Sequence, residues 1–135
     1  MTVKIVTDSV SDLPPEVVNE LGITVVPLNV RFGTEVYRDG IDMTSEEFYN
    51  RLKRSESLPA TSVPSPATFA EAYNKLAEDT DEILVITLTS KLSATHEVAL
   101  QSIGLMKRKC RIEVVDSQWA VMAQGFIVIA AAKAA

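Results

Sequence analysis

The chain has 135 residues, of which 47% are apolar and 23% charged, and a formal net charge of −5. That length suffices for one domain with a real core, and the negative balance argues against the basic surface that nucleic acid requires. A single cysteine, Cys110, cannot form an internal disulfide and has no metal-ligand spacing around it, so the chain reads as one of reducing cytoplasm with a half-buried thiol at a strand entry.

Met1-Thr2-Val3-Lys4 runs straight into a strand-like segment, so no signal peptide is expected at the start. Lys4 to Thr7 reads as a short buried strand stopped by Asp8-Ser9. Asp12 is expected to cap a helix through Pro14–Leu21, closed by Gly22. Ile23 to Leu28 is a second strand, dense in β-branched residues. Asn29 to Arg38 alternates around Gly33-Thr34, which suggests a hairpin or strand edge. Thr44-Ser45-Glu46-Glu47 is a capping box that opens a helix to about Arg54. Ser55 to Pro66 is a Ser- and Pro-rich loop, and Ser65-Pro66 opens a helix to about Glu78.

The second half repeats the alternation. Ile83 to Leu88 is an apolar strand, a helix follows from about Ser93 to Lys107, and Ile112 to Val115 is a third buried strand. Asp116-Ser117 is expected to cap a last helix. Basic residues at Arg51–Arg54 and Lys107–Arg111 are expected at helix ends, where cations complement the dipole. The fold class is therefore α/β, a mostly parallel sheet with helices on both faces, and ligands in such sheets bind beyond the carboxyl ends of the strands. That edge would collect Asp8-Ser9, the Leu88–Ser93 loop and Asp116-Ser117. The run from Ala120 to Ala132 is apolar nearly all round, which suits a helix covered by a missing second half or by a partner subunit. It is shorter than the roughly 20 residues of a membrane span.

Two hydroxyl-rich loops carry the chemistry: Ala60-Thr61-Ser62-Val63-Pro64-Ser65-Pro66 and Thr89-Ser90-Lys91-Leu92-Ser93-Ala94-Thr95. Each leads into an expected helix, where hydroxyls beside free backbone N–H groups can hold an anion without catalysing a reaction. Pattern alone leaves a specific ligand role and plain capping both open. No cofactor is implied, because neither a G-x-x-x-x-G-K-[ST] nor a G-x-G-x-x-G pattern is present. Asp8, Asp39, Asp42 and Asp116 are too scattered to suggest a metal site. His96, the sole histidine, would have to serve any Ser-His-Asp triad, and no nucleophile-elbow glycines surround a serine. Two competing readings stay open: an α/β hydrolase using Ser93 with His96, and a flavodoxin-like phosphate or nucleotide binder. Thr7-Asp8-Ser9-Val10-Ser11-Asp12 has the look of an acidic phosphotransfer strand end, but turn and cap chemistry is the favoured reading, because Asx and Ser residues bond their own backbone.

Four segments in order resemble the DegV family of bacterial fatty-acid-binding proteins: Thr7–Pro14, Thr61–Pro66, Ser90–Thr95 and Val114–Ser117. The resemblance covers essentially residues 1–135 and implies the first of that family's two α/β lobes, between which a long acyl chain is held. It implies that Thr61 and Ser93 bind the carboxylate, with Ser62 and Ser9 close by. Val63 stands where the family often has Gln, and Ala94 where it often has Gly. It implies further a non-enzymatic lipid carrier that presents the bound fatty acid to a fatty acid kinase for phosphorylation. A first lobe alone would leave one wall of an acyl groove open, so either self-association as a symmetric homodimer or aggregation is expected.

Overall fold

The computed structural model describes residues 2–135; Met1 lies outside them. Four apolar segments form a parallel sheet in the order β2-β1-β6-β7: β1 (Lys4–Asp8), β2 (Thr24–Val26), β6 (Glu82–Thr87) and β7 (Arg111–Asp116). Their registers are Val6↔Thr24, Val6↔Val85 and Val85↔Val114. Successive side chains leave a strand on opposite faces, and two cores result. On one face Val6, Val26, Ile83 and Val85 pack with Phe69, Tyr73 and Ala99 from α3 (Pro66–Leu76) and α4 (Thr95–Ser102). On the other, Ile5, Ile23 and Ile86 pack with Val128 of α5 (Val121–Ala134), and Val18 and Leu21 of α1 (Pro15–Leu21) lean against them. The expected α/β class, with helices on both faces of a parallel sheet, is what the chain adopts.

A second, smaller layer is antiparallel. The hairpin at Gly33 joins β3 (Asn29–Phe32) to β4 (Glu35–Arg38), and Gly33 takes the positive φ of 61° that the turn requires. Val30, Phe32 and Met43 form its core with Tyr37 and with Phe48 of α2 (Ser45–Arg54). Arg51 lies over the Phe32 and Tyr37 rings and pairs with Glu35, so α2 is held on the hairpin by one guanidinium. The Thr44 capping box is formed: Thr44 Oγ1 accepts from the Glu47 N–H at 3.2 Å, and Glu47 accepts from the Thr44 N–H at 2.7 Å.

Several local expectations are corrected. Asp12 caps no helix: it sits at φ 52° and closes the one-turn 3-10 segment Ser9–Ser11, while α1 starts on Pro15 without a side-chain cap. Asp116 and Ser117 close a tight turn by accepting from the N–H groups of Gln118 and Trp119, and α5 begins only at Val121. β7 is the edge strand and alternates between exposed and half-buried residues, so it is not fully buried. α4 ends at Ser102 and passes into the 3-10 turn Ile103–Leu105, which holds Gly104. Lys107 to Lys109 therefore lie in a loop and not at an α-helix end, whereas Arg51, Lys53 and Arg54 do occupy the last turn of α2. The loop expected over Ser55–Pro66 contains β5 (Ala60–Ser62), which pairs with β3.

Among the described residues, no helix is long and apolar enough to cross a membrane. No group of three or more His, Cys, Asp or Glu side chains comes together there to hold a metal.

Candidate functional site

The chain leaves β1 by α1 to β2 on one side, and reaches β6 and β7 on the other, so the sheet order reverses between β1 and β6. In open parallel sheets a ligand crevice forms beyond the strand ends at that reversal. The carboxyl end of β1 carries Asp8 and Ser9, and the carboxyl end of β6 leads to Ser93.

Asp8 is fully buried and spans the reversal. Its Oδ2 accepts the Leu88 N–H at 2.7 Å, and its Oδ1 accepts from Val10 N–H at 3.0 Å and Gln124 Nε2 at 3.2 Å. Burial pushes its carboxyl above the usual carboxylate range, and the hydrogen bonds from Leu88, Gln124 and Val10 work against that shift. Gln124 Nε2 also donates to Thr7 Oγ1 at 3.1 Å, which in turn donates to Ile86 O at 2.8 Å. Both amide hydrogens of Gln124 are thereby committed, and its buried Oε1 has no partner among the described residues.

Ser93 is half-buried in the loop before α4. Its Oγ accepts the Thr95 N–H at 3.2 Å and lies 2.9 Å from Thr95 Oγ1. This is the hydroxyl at a helix start that the sequence suggests, two residues before the first helical residue. His96 Nδ1 is 3.3 Å from Thr87 Oγ1, so the imidazole is engaged with β6 and Ser93 with Thr95. The Ser93–His96 hydrogen bond of a hydrolytic triad is not made. Asp116 accepts from Ser90 Oγ at 2.5 Å and from Ser90 N–H at 3.2 Å. Those bonds, chiefly the Ser90 hydroxyl, hold its carboxyl below the usual range, and the nearby His96 adds to the effect. The parallel β6–β7 pairing, Thr87↔Asp116, is what brings this carboxylate near His96, 20 positions away in the chain.

Thr61 and Ser62 are placed differently from the expectation. They stand on β5 as exposed strand residues, and Ser65, not they, caps α3 by accepting from Thr68 N–H at 3.2 Å. As strand neighbours their side chains leave opposite faces. An anion on one face meets one of the two hydroxyls. β5 pairs only with β3 among the described strands, so its other edge leaves backbone N–H groups free to donate. Ser9 Oγ accepts the Leu28 N–H at 3.0 Å, and the next residue, Asn29, lies opposite Ser62 in the β3–β5 register. The structure therefore ties Ser9 to the Thr61–Ser62 arm through Leu28, and ties the loop of Ser93 to β1 through Leu88. The sequence places Asp8 at this edge, as a turn residue at the end of an apolar strand, but carries no signal of its bonds to Leu88 and Gln124.

A cleft of about 510 Å³ opens beside α1 and the β4–α2 loop, with Ser9, Leu13, Pro27, Ile41 and Tyr49 in its walls. Of the four hydroxyl residues singled out from sequence, Ser9 alone lines it. Burial, and then the like charge of Asp39, raise Asp12 at its rim. At the carboxyl edge, Leu92, Trp119 and Val121 are exposed, and the Thr89 N–H to Trp119 carbonyl hydrogen bond of 2.8 Å draws their two loops together.

The family model described as "Uncharacterised protein, DegV family" matches residues 2–135. The chain is 38% identical over 133 residues to a DegV domain-containing protein of Caldanaerobacter subterraneus, covering 98% of this chain and 47% of that one. It is 42% identical over 135 residues to the DegV domain-containing protein YejH of Lactococcus lactis, covering 100% of this chain and 48% of that one. The chain spans about half the length of these relatives. Among solved structures it is similar to DegV of Bacillus subtilis, described as a fatty acid binding protein, with a TM-score of 0.93 at 31% identity over 98% of this chain and 47% of that one. A stearic acid-binding protein of Eubacterium ventriosum superposes with a TM-score of 0.91 at 31% identity, with the same coverage. A match over nearly every residue, together with a parallel sheet whose reversal carries Asp8-Ser9 and the Ser93 loop, shows that this chain belongs to the DegV family.

Proposed function

We propose that this chain binds a long-chain fatty acid, with the carboxylate held by Thr61 and Ser93 and with Ser62 and Ser9 beside them, and that it acts as a carrier and not as a catalyst. The observation that carries the reading is the sheet reversal between β1 and β6, with Ser93 beyond its carboxyl edge. Fatty-acid binding in the related structures supports the same ligand class. A hydroxyl at the entry to α4 and free N–H groups on β5 are donors suited to a carboxylate. Lys91, exposed in the Ser93 loop and in no ion pair among the described residues, adds the matching charge.

Energetics divides the work. Burying hydrocarbon gains about 0.8 kcal/mol per CH₂, so a tail of ~16 carbons gains on the order of 10 kcal/mol before the costs of association. The tail then supplies most of the affinity, and the hydroxyls fix where the headgroup sits. Exposed Leu92, Trp119 and Val121 are apolar surface at the same edge, and self-association as a homodimer would cover them. A carboxylate held at the mouth of a crevice remains within reach of a second protein. We therefore read the chain as presenting the acid to a fatty acid kinase, in the cytoplasm, where the unpaired thiol of Cys110 is at home.

Native mass spectrometry of the chain purified from cells tests the ligand. A co-purifying fatty acid is the expected result. A bound nucleotide, or no acid bound after incubation with palmitate, would overturn the reading.

A further inference from the structure

The Asp8-Ser9 pair is more than the turn chemistry its sequence suggests. An Asx turn accounts for one oxygen of Asp8: Oδ1 accepts the Val10 N–H two residues on. It leaves Oδ2 unexplained. That oxygen reaches 80 residues along the chain to the Leu88 N–H, at 2.7 Å, where β6 passes into the loop of Ser93. The neighbouring Ser9 hydroxyl accepts in another direction, from Leu28 N–H at 3.0 Å. Leu28 immediately precedes β3, and β3 sets the register of β5 through Asn29↔Ser62 and Val30↔Thr61. The Leu28 carbonyl also accepts from Asp39 N–H at 2.9 Å, so the same point anchors the end of β4.

We propose that Asp8 and Ser9 are positioning residues that divide the site between them: the Asp8 carboxylate holds the Ser93 arm through Leu88, and the Ser9 hydroxyl holds the Thr61 arm through Leu28. Two adjacent residues on one rigid strand end then set the spacing of two hydroxyl arms that come from distant parts of the chain. The arrangement of Gln124 agrees with this. Its amide gives both hydrogens to Thr7 and Asp8, so a side chain of α5 braces the carboxylate from the far side of the strand end. Ser9 keeps its own hydroxyl hydrogen, so holding Leu28 leaves it a donor.

The relevance to ligand binding rests on the fatty-acid reading; the division of the two arms does not. Amide hydrogen exchange on the 135-residue chain tests the division without ligand. Asn at position 8 has one acceptor oxygen for the three N–H groups that Asp8 serves. Asp8→Asn is expected to raise exchange at Leu88–Lys91 by ~10-fold or more, the consequence of losing a hydrogen bond to a charged group, and to leave Leu28–Phe32 and Ala60–Ser62 unchanged. Ser9→Ala is expected to do the reverse. Uniformly faster exchange in both arms, with either variant, would overturn the proposal. Should Asp8→Asn fail to fold, Ser9→Ala compared with Ser9→Thr decides, because threonine keeps the acceptor. Protection at Leu28–Phe32 restored by Thr and lost with Ala is expected, and loss in both overturns it.

Palmitate affinity supplies the second readout. Asp8→Asn should weaken binding by ~10-fold in the wild type and less than ~2-fold in a Ser93→Ala background, since it acts through that arm. Equal losses in both backgrounds would show a general structural role. No palmitate binding by the wild type, with the exchange pattern as expected, refutes the ligand and leaves the positioning roles standing. Binding with uniform exchange does the opposite.

Discussion

A Cβ on Gly125 would stand 2.6 Å from the carbonyl oxygen of Ser11, and within 3.2 Å of Leu13 Cδ2. Gly125 lies inside α5, where glycine is otherwise unfavourable by about 1 kcal/mol relative to alanine. Its presence lets α5 rest directly on the 3-10 turn that follows β1, which brings the next residue back along α5, Gln124, within reach of Asp8. Gly125→Ala must move backbone, and overpacking of this kind costs about 1–3 kcal/mol against the helix gain. We expect a lower thermal midpoint for Gly125→Ala and the opposite for Gly104→Ala, where a Cβ meets nothing within 4 Å. Equal midpoints for the two variants would show that α5 can shift at no cost.

The acid limb of stability should carry two contributions of opposite sign. The Arg38 guanidinium and the Arg38 N–H hold Asp42 down to about 2, against a usual 3.8. A lowered carboxyl contributes stability that is present above about pH 4 and lost as pH falls through about 2. Asp8 is shifted upward, chiefly by burial. Its neutral form therefore favours folding below pH 3.8, and that contribution is lost as pH rises through its raised value. Urea midpoints from pH 2 to 7 check both. Asp42→Asn should flatten the fall between pH 4 and 2, and Asp8→Asn should gain on the wild type as pH rises above 4. Three superimposable profiles would refute both assignments.

What the sequence made legible, and what it hid, follows from the range of the interactions involved. Lys4–Thr7, Ile83–Leu88 and the Thr44 capping box are local signals, and each appears within a residue or two of where pattern places it. β5 has three residues and no periodicity of its own; it is a strand because Val30 lies opposite Thr61, 31 positions away. Asp12, Asp116 and Ser117 have the composition of helix caps, yet their acceptors and backbones close turns instead, and nothing local distinguishes the two uses. The candidate site shows the same division. Ser93 was readable because its partner, Thr95, is two residues on. Asp8 was not, because its partners are Leu88 and Gln124.

Substitution of the headgroup hydroxyls separates a carrier from a hydrolase. Ser93→Ala should weaken palmitate binding by about 1.5–3 kcal/mol, the range for a hydrogen bond to a charged group. Thr61→Ala should act in the same direction. His96→Ala should leave bound acid in place, because the imidazole is engaged with Thr87 and not with Ser93. Titration of the three variants with palmitate, alongside an ester-hydrolysis assay, decides the matter. Hydrolysis by the wild type that disappears with His96→Ala would favour an enzyme.

Trp119 offers a direct view of the acyl chain. It is the only tryptophan in the chain, it is 60% exposed, and its carbonyl is bonded to Thr89 at the head of the Ser93 loop. Exposed Leu92 and Val121 flank the same junction. If the tail lies along this wall, it removes water from the indole, so palmitate should shift Trp119 emission to the blue and shield it from iodide. The shift should saturate at the same palmitate concentration as binding followed by mass spectrometry, and it should persist when the protein is diluted, which separates it from self-association over the same apolar surface. Trp119→Phe removes the signal and should retain binding, because a phenyl ring keeps most of the apolar surface. Bound palmitate with unchanged emission would place the tail elsewhere, and the 510 Å³ cleft between Ser9 and Tyr49 would be the site to probe next, with Ile41→Asn.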